Sequence, residues 1–157
     1  MKSPFKTILL LILVLLLFVV WGHFARPKNI PDSHISEKAG GVMHYKEKEI
    51  PVEFADTPAQ QTKGLSGRFS MTPMTGMLFR FTKDDPYPFW MPDMHFSIDI
   101  IWLNSSFEIV HIEPRISPET YPTLFSSPTP ARFVLELPEG TARILGLKIG
   151  EKIELKK

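Results

Sequence analysis

"FWMPDMHFSIDIIW", residues 89–102, decides how this chain is read. It sets two tryptophans, two methionines, a histidine and two carboxylates in a run that otherwise has the composition of a buried strand. Within it, Ile98 to Leu103 reads as a strand. Asp99, Ile101 and Leu103 then share one face, and Ile98, Ile100 and Trp102 share the other. Both faces are apolar apart from Asp99, so the strand is expected in the middle of a sheet. Its lone carboxylate then requires a hydrogen-bonded or ionic partner.

Working outward, the neighbouring segments carry strand and turn signals. "EIPVEFA" (49–55), "GMLFRF" (76–81), "FEIVHIE" (107–113) and "RFVLEL" (132–137) are rich in β-branched and aromatic residues, and "NSS" (104–106) supplies a hairpin turn. "DTPAQQTKGL" (56–65) predicts a short helix with Asp56 or Thr57 as its cap, Pro58 at the first position and Gly64 at the exit. "PEGTARILGLKIGEKIEL" (138–155) predicts a turn, a short helix ending at Gly146 and a last strand from Glu151 to Leu155. Residues 113–130 read as a long loop whose Tyr121, Leu124 and Phe125 want an apolar surface to cover. The expected fold is mostly β: a compact single-domain β-barrel or β-sandwich with one or two short helices, preceded by an N-terminal transmembrane helix.

Composition limits what such a domain can do. The chain has 157 residues, a formal net charge of +1 and no cysteine. It therefore has no disulfide framework and no thiolate, and no charge excess that points to nucleic acid. Zinc-ligand spacing, a phosphate loop and a dinucleotide fingerprint are all missing from the sequence. Lys2 and Lys6 precede an uncharged, apolar run from Thr7 to Ala25, long enough to span a bilayer, with Trp21 placed for an interface. We read residues 1–25 as an uncleaved signal anchor, 26–40 as a polar, proline-broken linker and 41–157 as the β-rich domain. The competing reading is a cleaved signal peptide and a secreted domain, which His23 in "GHFA" disfavours because cleavage sites take small residues. The domain is expected on the extracytoplasmic, periplasmic side of the cell membrane.

"KGLSGR" (63–68), "GMLFRF" (76–81), "FWMPDMHFSIDIIWL" (89–103), "SSPTPARFVLELPEGTA" (126–142) and "LGLKIGEKI" (145–153) together resemble the Domain of Unknown Function 192 family, in its order and at about its spacing. The resemblance implies a small, mostly β domain, often exported or anchored. It implies no established reaction and assigns no catalytic residues. Lys63 stands where the family commonly has arginine, and Pro92 where it commonly has lysine.

Three readings of the site residues follow. In the first, Asp99, Glu136, Arg68 and Arg132 form one mutually satisfied polar cluster, either a salt-bridge network or the floor of a pocket that grips a ligand through arginine forks, with Phe89 and Trp90 as apolar walls. That makes the protein a binding or accessory module for a sugar or other small polar molecule, with no cofactor and no nucleic-acid partner. In the second, Met91, Met94 and His95 form a thioether and imidazole set that would suit Cu(I), against the simpler use of methionine to fill irregular cores. In the third, Asp99 and Glu136 act as the carboxylates of a hydrolase. Ser66 in "GLSGR" lacks the context of a nucleophile elbow.

Overall fold

The computed structural model describes residues 40–156. The expected anchor and nearly all of the linker lie outside the described residues, among which no helix is long and apolar enough to cross a membrane. The chain runs β1 (Gly41–Tyr45), β2 (Lys48–Ala55), α1 (Pro58–Lys63), β3 (Gly76–Asp85), β4 (Ile98–Leu103), β5 (Ile109–Ile116), β6 (Ala131–Pro138), α2 (Thr141–Leu145) and β7 (Glu154–Lys156). A 3₁₀ turn at Pro118–Thr120 precedes β6.

The strands form one seven-stranded sheet in the order β5-β4-β6-β3-β2-β1-β7. This corrects the barrel and sandwich expectations: the described residues form a single sheet, and its edge strands β5 and β7 do not pair as neighbours in it. The start of β5 and the residues just ahead of it are instead stitched to residues ahead of β7. Ile109 N–H donates to Glu151 O at 2.8 Å and Ile153 N–H to Phe107 O at 3.0 Å. These bonds satisfy edge groups without building a ladder.

Every strand pair is antiparallel except β2 with β3. A parallel pair needs a crossover, and α1 supplies it. The helix starts as its sequence predicts. Thr57 Oγ1 accepts from Gln60 N–H, and the Gln60 side chain accepts from the Thr57 N–H, a reciprocal capping box with Pro58 at the first position. β1 escapes the sequence reading because its hairpin turn, Lys46-Glu47, lacks the usual Asn-Gly signal, yet Lys46 takes the positive φ (54°) that such a turn needs.

Apolar side chains cover both faces of the sheet. Ile101, Leu103, Leu135, Leu137, Leu78 and Ile50 belong to one cluster, and Ile98, Ile100, Trp102, Val134, Met77 and Phe79 to the other. All six residues of β4 are buried, as its two apolar faces predict. Trp102 is fully enclosed, and its indole N–H donates to Tyr87 O at 3.0 Å. Gly76 lets β3 approach β6, since a Cβ there would meet Leu135 at 2.9 Å and Glu136 O at 3.0 Å.

Asp99 is 0% exposed and satisfied by the backbone. Its Oδ1 accepts from Arg115 N–H and its Oδ2 from Ala142 N–H, both at 2.9 Å. Arg115 sits at the break in register where Ile98 pairs with Ile116 but Ile100 pairs with Glu113, and its φ is 56°. One carboxylate therefore ties a bulge in β5 to the first turn of α2. In Asp99→Asn an NH₂ group must face one of these N–H donors, leaving both without an acceptor. We expect a loss of ~2 kcal/mol. Urea unfolding of the full-length chain measures it, and an unchanged midpoint would refute the role.

Candidate functional site

The site begins with register. β2 runs parallel to β3 with Glu53 beside Met77, Met77 lies opposite Glu136 on β6, and Glu136 lies opposite Ile100 on β4. Paired residues point to the same face, so Glu53 and Glu136 share one row, two strand spacings or about 10 Å apart at the backbone.

Arg68 joins them from the loop after α1. That loop is tightly turned. Ser66 N–H donates to Lys63 O, the Ser66 hydroxyl donates to Pro92 O at 2.8 Å, and Gly67 N–H donates to Asp93 O at 2.8 Å. The turn plants Leu65 in the core, 1% exposed. The Arg68 fork grips Glu53, with Nη1 to Oε1 at 2.6 Å and Nη2 to Oε2 at 2.8 Å. This hydrogen bonding raises the Arg68 pKa further, with a smaller electrostatic contribution from Glu136.

Glu136 is the anomaly. It is 5% exposed, and its Oε2 has no hydrogen-bond partner among the described residues. Burial pushes its carboxyl up to about 8, with the attraction of Arg68 acting in the opposite direction. At neutral pH it is therefore a neutral acid with an O–H to donate. A cleft of about 400 Å³ lies at the Glu53 and Met77 end of this row, lined by Glu53, Phe54, Asp56, Lys63, Gly64, Arg68 and Met77 among others, with Glu136 buried behind Gly64 and outside its lining. Gly64 keeps the space open: its φ is 47°, and a Cβ there would lie 3.2 Å from Phe79 and 3.9 Å from Glu136 Oε2. At the rim, Arg80 holds Asp56 and lies 3.8 Å over the Phe54 ring.

The structure separates the other expected site residues. Asp99 lies opposite Leu137 and so faces away from Glu136, which leaves the two carboxylates on opposite faces of the sheet. Arg132 pairs with Asp84 at 2.6 Å near the exposed end of β6 and does not join the Arg68 cluster. Phe89 is core, packed edge-on against Phe79 at 4.8 Å and Trp102 at 6.1 Å. Trp90 points outward and leans on Tyr121 at 5.5 Å. Met91 and Met94 are buried in the apolar cluster around Trp102, while the half-exposed His95 stacks on Phe69 at 4.5 Å. Glu53, which completes the site, was not singled out in the sequence. In "EIPVEFA" it alternates with Ile50, Val52 and Phe54 and so reads as an ordinary wet-face residue.

Fold and site define a class before any comparison: a small, mostly β domain with a polar cleft beside its one parallel strand pair. The chain belongs to the Domain of Unknown Function 192 family, described as "Uncharacterized ACR", which matches residues 41–155. It is similar to a protein from Sinorhizobium meliloti 1021 described as a "putative transcription regulator", at 30% identity over 73% of this chain and 90% of that one, with a TM-score of 0.67. It is also similar to a protein of unknown function from Novosphingobium aromaticivorans DSM 12444, at 30% identity over 72% of this chain and 81% of that one, with a TM-score of 0.66. No curated protein matches.

Glu136 makes stability depend on pH. An unfolded glutamate releases its proton near 4.5, whereas folded Glu136 holds it to about 8. The folded chain binds more protons in this window, so stability falls as pH rises through it and levels off above. The loss should be on the order of 3–5 kcal/mol between pH ~5 and pH ~8.5 in urea unfolding. Glu136→Gln should remove most of it, and a slope unchanged by that substitution would refute the buried neutral acid.

Proposed function

We propose that this protein is a membrane-tethered binding or accessory module working outside the cytoplasm, and that the cleft lined by Glu53 and Arg68, with Glu136 behind it, receives a small, uncharged, hydroxyl-rich molecule such as a sugar. The observation that carries the reading is the buried Glu136 Oε2, without a partner among the described residues and separated from an open cleft by Gly64. Buried polar groups are ordinarily hydrogen-bonded, and an exception at a cleft is a place for a ligand to complete the set. The charges lining the cleft balance, with Glu53 and Asp56 against Lys63 and Arg68, which favours a neutral ligand over an ion. A hydroxyl group suits this cleft because it can donate to the outer lone pairs of Glu53 on the wall and, where it reaches past Gly64, accept from the Glu136 O–H. The tether rests on the apolar run from Thr7 to Ala25.

The test is ligand-observed NMR titration of the full-length chain with neutral mono- and disaccharides. Glu136→Leu removes the donor, keeps the volume and should leave the domain folded. We expect saccharide binding that weakens about 5- to 10-fold in this variant. Binding equal in both proteins, or no saccharide bound by either, would overturn the reading. The tether has its own check: membrane-extracted protein should keep its full length and resist a high-salt wash, and an N-terminus at or beyond Arg26 would show a released domain instead.

A further inference from the structure

On the other face of β4, away from Glu136, lies a second cleft of about 320 Å³, lined by Asp99, Ile112, Pro114, Arg115, Arg143 and Leu147 among others. Its construction differs from the first. Ile112, Pro114 and Leu147 give it apolar walls. Its floor is Asp99, which is fully buried and whose two oxygens are each already occupied by a backbone N–H. Two arginines also line it, Arg115 from the β5 bulge and Arg143 from α2.

The arginines of the described residues fall into two sets. Arg68, Arg80 and Arg132 each hold a carboxylate, Glu53, Asp56 and Asp84 respectively. Arg115 and Arg143 make no ion pair among the described residues, yet both line the same cleft. Two like charges brought to one apolar hollow repel each other, and a shared anion relieves that repulsion. The backbone adds a second observation. Arg115 takes a φ of 56°, a region unfavourable for a residue with a Cβ, and the Asp99 hydrogen bond holds it there. Removing the bulge would relieve that conformation but would also re-aim the Arg115 side chain, because a bulge redirects the residues it carries.

We propose that this cleft binds a small organic anion with an apolar body, its carboxylate or phosphate head bridging Arg115 and Arg143 and its body lying against Ile112, Pro114 and Leu147. The guanidinium fork matches the paired oxygens of either head group. The proposal is independent of the saccharide reading, since it uses the opposite face of the sheet and none of the same residues.

The test titrates the full-length chain with benzoate, phenyl phosphate and the neutral isostere benzyl alcohol, followed by amide NMR shifts. Benzoate or phenyl phosphate should saturate shifts at residues 112–115 and 140–147, and whichever binds tighter identifies the head group. Benzyl alcohol should bind at least about 10-fold more weakly, and Arg143→Gln and Arg115→Gln should each weaken the anion about 10-fold or more. Both side chains are exposed, and Arg143→Gln leaves the bulge untouched, so an unchanged melting temperature in that variant keeps the comparison valid. Equal binding of the alcohol, affinity unaffected by both substitutions, or no saturation by either anion at ~10 mM would overturn the site.

Discussion

The register of β4 against β6 is the constraint from which the rest follows. Asp99 stands opposite Leu137 and Ile100 opposite Glu136. Because side chains alternate, this single offset sends the two buried carboxyls to opposite faces of one sheet. A slip of one residue would drive Asp99 into the apolar cluster around Trp102 and turn Ile98, Ile100 and Trp102 away from it. Apolar burial on both faces opposes such a slip, and Asp99 opposes it again by holding the backbone of β5 and of α2 at once. With the register fixed, Met77 falls between Glu53 and Glu136, and Arg68 needs only to reach over from its loop to meet them.

The same sheet thus resolves two buried acids in different ways. Asp99 meets two N–H groups and serves the backbone. Glu136 leaves its Oε2 without a partner among the described residues and holds its proton, at a cost that an apolar residue there would avoid. That contrast is why the proposed binding reading rests on Glu136, while Asp99 is accounted for by the backbone it holds.

Much of the fold was legible in the sequence. The cap of α1 at Thr57 with Pro58 after it, the buried β4, the Asn104 turn and the helix stop at Gly146 each follow from local chemistry. The alternation along β4 and β6 was also correct strand by strand: Asp99 shares a face with Ile101 and Leu103, and Glu136 with Val134. Alternation fixes which residues of one strand share a side and says nothing about which side of a neighbour they meet. That is why Asp99, Glu136, Arg68 and Arg132 could be grouped on paper and were divided by the sheet. Arg68 and Glu136 stayed together, Arg132 went to Asp84, and Glu53 entered through a parallel pairing that only the crossover creates. The loop expected at 113–130 is shorter for a related reason. β5 runs on to Ile116 through a bulge whose partner, Asp99, is distant in sequence.

The last strand of this domain is the partner of its first. Met43 pairs with Leu155, and the Tyr45 hydroxyl reaches Gly146 O and the Glu151 carboxylate near the same end of the chain. β3 likewise waits for β6. Little of the sheet can therefore be completed from the N-terminal half alone, and the contacts that close it span nearly the whole domain. A sheet organised in this way stays open at both of these places until β6 and β7 have been made.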